Sequence, residues 1–376
     1  MGRIDMKERG NSFFRCLDRY CGIPLAGLTA CVRRHRQIPP ADVRRIGILC
    51  FGAIGDLLLL SGLINGLRQT YASARITLVV SRANTAAVPL VPGIDAHASF
   101  GVQQVRDMIA YMRNQQFDLL FDSTQWARLG AVVSNLSGAR FTIGFATAGQ
   151  FRHWGYDIAV SHSSACHEVE NFLALGKALV PDFSAHPSLR LPDAQPPEKK
   201  TLLLPEKGDA VYLHMWGSGT KPYLKEWPAR YWAQLAKELL SLGLTVYFTG
   251  GAGDEERTDD FLRRYLDDED DVHSLAGKVS LVGLAWQLAR SRAVVSVNTG
   301  IMHLAALAGA PTVGLHGGVN PLRWGPIGPR TISLLPRSGQ MAYLNLGFEY
   351  PDNVENALPN LPVEDVRKAL QTFGVF

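Results

Sequence analysis

From position 45 onward the chain alternates short apolar runs with stretches whose apolar residues recur every three or four positions, the pattern of strands followed by helices. Positions 46–51 predict a strand, 52–55 a turn and 56–69 a helix, and 76–80 and 117–121 predict further strands of the same sheet. Prolines then gather at 181, 187, 192, 196, 197 and 205, with Lys199 and Lys200 among them and little periodicity, which reads as a linker over 181–208. The alternation restarts with a strand over 210–215, a helix over 228–242, a strand over 244–249 and a helix over 254–266. It continues with a helix over 281–290, a strand over 293–297, a helix over 301–308 and a strand over 312–315. The expected fold class is α/β: two Rossmann-like, doubly wound domains facing a central cleft, at 44–180 and 209–376, behind a leader at 1–43. Ligands of such sheets lie beyond the carboxyl ends of the strands, so chemistry is sought in the loops that follow them.

Length and composition agree with two cores, since the chain has 376 residues, of which 47% are hydrophobic. The longest early apolar run, 23–32, is about half the ~20 residues that span a bilayer and contains Pro24 and Gly27. Asp5, Glu8 and Asp18 precede it and Arg33, Arg34 and Arg36 follow without a small-residue cleavage site, so a secretory signal is a poor fit and a cytoplasmic protein is expected. Five cysteines, Cys16, Cys21, Cys31, Cys50 and Cys166, form no CxxC pair, which argues for reduced thiols and against a zinc site. The net charge of +4 is concentrated in the leader, where Phe13, Phe14, Leu17, Tyr20, Ile23 and Leu25 are interleaved with Arg15, Arg19, Arg33, Arg34 and Arg36. Such a segment suits either peripheral contact of residues 13–36 with anionic lipid on the inner face of the inner membrane or packing on the protein's own surface. No nucleic-acid motif accompanies the charge.

Four motifs follow strands. Gly52-Ala-Ile-Gly55-Asp56 joins the first strand to its helix; the glycines let backbone approach a ligand, and Asp56 stands either as a chemical group or as a helix cap. Because it is neither GxGxxG nor GxxxxGK[ST], it supports neither a dinucleotide fingerprint nor a P-loop. Lys225-Glu-Trp-Pro228 places a lysine before a helix start, where anions are attracted. Thr249-Gly-Gly-Ala-Gly253-Asp-Glu255-Glu256 is a glycine turn with carboxylates that serve the helix dipole or hold sugar hydroxyls. The sharpest is Val297-Asn298-Thr299-Gly300-Ile-Met-His303, a strand running directly into a helix, whose amides at 299–301 suit a phosphate. The acidic run at 267–271 contains DxD but follows an Arg-bearing helix, as a solvated loop would, and no metal site is expected.

Taken in order, GxxGD, KxWP, TGGxxxEE and NTGxxHLAALxGxPTVGLHG closely resemble glycosyltransferase family 9, the heptosyltransferases, over about nine-tenths of the chain. The resemblance implies a GT-B fold and an inverting, metal-independent transfer with no cofactor. The donor is a nucleotide sugar, ADP-heptose, and the acceptor a lipid-linked lipopolysaccharide core or related glycan. By position it implies Asp56 as general base, Lys225 at the donor diphosphate, and Gly55, Asn298, Thr299, Gly300 and His303 around the donor. Glu255 or Glu256 falls near the nucleoside, and His167 with Glu168 on the acceptor side. Many members carry Asp where this chain has Asn298. The competing readings are a nucleotide-sugar epimerase, a non-catalytic nucleotide-sugar-binding scaffold and, weakest for want of GxGxxG, an NAD-dependent dehydrogenase.

Overall fold

The computed structural model describes residues 12–194, 196, 208–347 and 349–376, with side chains from 16 onward. Phe13, Phe14 and Arg15 of the leader, and Lys199 and Lys200 with most of the second half of the expected linker, lie outside the described residues or side chains. The chain divides into two compact units, Met1–Ser188 and Leu189–Phe376.

The first unit opens with helices α1 (Ser12–Tyr20) and α2 (Gly22–Val32). There follow β1 (Arg45–Cys50), α3 (Ile54–Thr70), β2 (Arg75–Ser81), β3 (Ala96–Phe100), α4 (Val105–Gln115), β4 (Leu119–Asp122), α5 (Arg128–Leu136), β5 (Phe141–Ala146), β6 (Ile158–Ser161) and α6 (Glu168–Lys177). The strands form one parallel sheet in the order β3-β2-β1-β4-β5-β6. Strand order reverses at the β1–β4 neighbours, which makes the loops after these two strands the crevice of a doubly wound sheet. β1 and α3 are buried almost throughout, because a parallel strand is covered on both faces and α3 is sandwiched between the sheet and its neighbours.

Residues 16–43 do not form a separate leader. Gly22, Ala26 and Ala30 of α2 are buried, and Asn135 of α5 donates to Ala26 O and Thr29 Oγ1. Asp18 accepts from the amides of Arg128 and Leu129 at 2.8 and 3.3 Å and pairs with the Arg128 guanidinium, capping α5 from a distant part of the chain. Arg33 pairs with buried Asp157. Residues 181–188 likewise belong to the first unit rather than to a linker, because Phe183 is buried against Gly66 and Gly176, and Ser188 donates to Ser61 Oγ at 3.0 Å.

The second unit repeats the plan with β7 (Ala210–His214), α7 (Ala229–Leu240), β8 (Thr245–Phe248), α8 (Glu255–Tyr265), β9 (Val272–Ser274), α9 (Leu281–Leu288), β10 (Ala293–Val297), α10 (Gly300–Leu307), β11 (Thr312–Leu315), α11 (Pro321–Trp324), β12 (Thr331–Leu334) and α12 (Val363–Gln371). Its order, β12-β11-β10-β7-β8-β9, is the same doubly wound topology, with the switch between β7 and β10. Its core gathers Leu213, Trp232, Leu235, Phe248, Val295 and Leu370 around the sheet.

Candidate active site

In the first unit α3 begins at Ile54, so Gly55 and Asp56 lie in its first turn and not in a preceding loop. Asp56 Oδ2 accepts from the amide of Ala53 at 2.5 Å, which satisfies one of the orphan donors of the helix start. The carboxylate folds back over Gly52, where any Cβ would come within 2.7 Å of it, and this is the physical reason for glycine at that spacing. The cap and the chemical reading of Asp56 are therefore compatible: one oxygen caps while the half-buried side chain still reaches the β1 loop.

The other oxygen of Asp56 leads into a buried network that local sequence signals do not reveal. Gln125, in the loop after β4, donates from Nε2 to Asp56 Oδ1 and to Glu168 Oε1, both at 2.9 Å. Glu168 is fully buried; His162 Nε2 lies 3.1 Å from both of its oxygens, and Asn171 donates to it at 3.2 Å. His162 Nδ1 lies 3.2 Å from Thr147 Oγ1, and Thr147 donates in turn to Gln125 O. His167 is the N-cap of α6, its Nδ1 accepting from the Val169 amide at 3.2 Å. Of the expected acceptor-side pair, Glu168 therefore meets the site through Gln125, and His167 shapes the helix that carries it.

A second buried pair holds the same loop. Arg152 and Asp122 have no solvent exposure and lie 2.5 Å apart, with Tyr156 Oη donating to Asp122 at 2.6 Å. Burial alone pushes the Arg152 guanidinium down, but Asp122 and the Tyr156 hydroxyl outweigh it and hold the pKa above its ordinary value. Arg152 also donates to Thr124 O, next to Gln125.

In the second unit the expected residues gather in the loops after β7, β8 and β10. Lys225 closes a short 3₁₀ turn, Pro222–Lys225, and donates from Nζ to Ser218 O at 3.1 Å. The neighbouring Glu226 accepts from the Gly217 amide at 3.1 Å and from Arg257 at 3.3 Å, while the Arg257 guanidinium lies 4.0 Å from the centre of the Trp216 ring. Glu255 and Glu256 open α8 and are both exposed; the Glu255 carboxylate lies over Gly277, within 1.9 Å of where a Cβ would stand, and the φ of +64° at Gly277 is a conformation that favours glycine. Thr299 is the N-cap of α10 and accepts from the Ile301 amide at 3.3 Å, and His303 is buried on that helix.

Two donors expected at the phosphate turn are engaged within the fold. The Ile301 amide is taken by Thr299, and Asn298 turns away from the anion role assigned to it: its backbone N–H still belongs to the ladder with β11, bonding Leu315 O at 3.1 Å. Its side-chain amide donates to Trp324 O at 2.9 Å and lies 3.2 Å from His316 Nδ1. Burial drives His316 down to about 3 and His214 to about 4, so both are neutral near pH 7, and neutral His316 is an acceptor suited to an Asn partner. The acidic run at 267–271 is largely exposed, and among the described residues no group of three or more His, Cys, Asp or Glu is arranged to hold a metal ion.

The sequence model of glycosyltransferase family 9 (heptosyltransferase) matches residues 105–345, which takes in Gln125, Glu168, Lys225 and the Asn298–His303 turn. The chain belongs to glycosyltransferase family 9. The lipopolysaccharide heptosyltransferase 1 of Pseudomonas aeruginosa is 35% identical over 124 residues, 33% of each chain. The lipopolysaccharide core heptosyltransferase OpsX of Haemophilus influenzae is 22% identical over 88% of this chain and 96% of its own. The chain spans between 28% and 56% of the length of several other curated heptosyltransferases. The solved ADP-heptose lipopolysaccharide heptosyltransferase II of E. coli superposes with a TM-score of 0.70 at 18% identity, covering 88% of this chain and 98% of that one. The fold of this family 9 member is accordingly of GT-B type, with a Rossmann-like sheet in each unit. Asp56 lies ahead of the stretch that the family model matches, within the longer similarity.

Proposed function

We propose that this family 9 member transfers heptose from ADP-heptose to a lipopolysaccharide core or related glycan by an inverting single displacement that needs no metal. The observation that carries the reading is Asp56, a carboxylate fixed by the Ala53 amide and Gln125 at the switch point of the first sheet. In this reading Asp56 takes the proton of the acceptor hydroxyl as its oxygen bonds to the anomeric carbon. The bond from that carbon to the diphosphate oxygen breaks on the opposite face, and ADP leaves with the electron pair. The second unit receives the developing charge: Lys225, the Thr299 and Gly300 amides and the positive end of α10 are assigned to the diphosphate. Glu255 is favoured over Glu256 for the nucleoside, because it faces the Gly277 loop beside the carboxyl end of β9.

Calorimetric titration with ADP, UDP and GDP tests the donor side. ADP is expected to bind in preference to the others, and Lys225→Ala to weaken it by about 10- to 100-fold, the scale of one charge-assisted contact. A wild-type chain that binds none of the three nucleotides removes the reading.

The same proposal places the protein at a membrane surface in the cytoplasm. Among the described residues no helix is long and apolar enough to cross a membrane. Yet Tyr20, Leu28 and Val32 of α1 and α2 are 66–74% exposed, exposed Trp154 stands beside Gly27 of α2 with exposed Phe151 against its ring, and Arg19, Arg34 and Arg36 are exposed in the same stretch of chain as the two helices. Exposed aromatic and aliphatic groups interleaved along the chain with exposed arginines suit the headgroup boundary of an anionic bilayer. The protein is expected to sediment with vesicles of phosphatidylglycerol and phosphatidylethanolamine and to be released when Leu28 and Val32 are changed to Ser. Recovery of the wild type wholly in the supernatant rejects the contact.

A further inference from the structure

We infer that Gln125 is a positioning residue of the transfer reaction, holding Asp56 in its reactive orientation through one amide group shared with buried Glu168. The inference rests on the reading of Asp56 as the base and adds to it a residue outside the sequence motifs. Asp56 comes from the first turn of α3, which follows β1, and Gln125 from the loop after β4; β1 and β4 are the two neighbours between which the strand order reverses. Their side chains meet although 69 positions separate them.

Gln125 Nε2 donates to Asp56 Oδ1 and to Glu168 Oε1, both at 2.9 Å, so the NH₂ group faces the pair of carboxyl groups and the side-chain carbonyl points away. Each hydrogen of the NH₂ group then serves one carboxylate. Gln125 itself is 7% exposed and Glu168 not at all, whereas Asp56 is half-buried, so the network holds the base from the protein side and leaves its outer side open. With the Ala53 amide on Oδ2 and Gln125 on Oδ1, rotation about the Asp56 side-chain bonds is fixed at both oxygens.

What holds Gln125 is equally specific. Glu168 is kept in place by His162 and Asn171, the main-chain carbonyl of Gln125 by Thr147, and that of Thr124 by Arg152. An amide neither gives up nor takes a proton at neutral pH, so the link from Glu168 to Asp56 transmits orientation and not a proton. The carboxylate of Glu168 acts here as the acceptor that keeps the Gln125 amide from turning its carbonyl toward the base.

The test is a kinetic cycle on the whole chain, using ADP-heptose and truncated lipopolysaccharide from cells lacking this gene as acceptor. Gln125→Met is expected to lower kcat about 10- to 100-fold, the scale of one hydrogen bond to a charged group, and to leave KM for ADP-heptose unchanged. In an Asp56→Asn background the same change is expected to cost less than about threefold, because a positioning residue loses its effect once the group it positions is gone. Gln125→Asn, one methylene shorter and still polar, is expected to repeat both results if the Met variant folds poorly. A loss of equal size in both backgrounds means that Gln125 supports the fold alone, and the inference is overturned. If Asp56→Asn by itself keeps wild-type kcat, the base assignment fails instead, and the two failures are told apart.

Discussion

An Asp56→Asn variant is expected to lose about two to four orders of magnitude in kcat for heptosyl transfer while binding ADP as the wild type does. The substitution keeps the size and planarity of the side chain, so one oxygen can still accept from the Ala53 amide or from Gln125. It removes the capacity to take a proton from the acceptor hydroxyl. It also presents an NH₂ group to one of two donors that now face a carboxylate, a local mismatch of the kind that costs more than a surface hydrogen bond. Donor binding is assigned to the second unit, so calorimetry with ADP should not register the change. A kcat within about threefold of wild type, with the variant folded, would place the base elsewhere.

The largest expected effect on stability comes from Arg152→Met. The pair with Asp122 has no solvent exposure, and removing one partner of such a pair strands the other at a cost of about 3–5 kcal/mol. Asp122 keeps Thr124 and Tyr156 as donors, which offsets part of its charge and none of the lost guanidinium contact to Thr124 O. Because the two units have separate cores, the loss should appear as a lowered transition of the first unit alone in differential scanning calorimetry. Asp122→Asn in the same chain should restore part of the stability, since the stranded charge is then gone. A first-unit transition that moves by less than the equivalent of about 1 kcal/mol would mean that the pair carries little of the fold. A further consequence follows for activity: with the Thr124 carbonyl released, the loop that carries Gln125 loses an anchor, and kcat should fall even at temperatures where the variant is folded.

Much of this was readable along the chain. Long buried strands such as β1 and β10 stand out because parallel strands covered on both faces are continuously apolar, and the glycine turns that follow them mark the carboxyl ends where the candidate site residues sit. The strands that periodicity did not reveal include β3, β6, β9 and β12, short outer strands whose half-exposed residues leave neither a clean alternation nor an apolar run. β5 is buried yet shows no continuous apolar run, since Thr142 and Gly144 interrupt its apolar positions. For the segment 13–36 the pattern suits both membrane contact and self-packing; in α2 the small residues Gly22, Ala26 and Ala30 are buried, with α2 packed on α5, while Leu25, Leu28 and Val32 remain outside.

The sequence by itself determined the α/β class, the doubling of the plan, and the positions of Asp56, Lys225 and the Thr299–Gly300 turn, because strand burial, helix starts and glycine turns are each written within a few adjacent residues. Only the tertiary structure decided what holds them. Gln125, Glu168, His162 and Arg152 become partners of the site through contacts across tens of residues, and Asn298 is drawn into the fold by His316 and Trp324, because the sheet brings together the ends of strands that are distant in the chain.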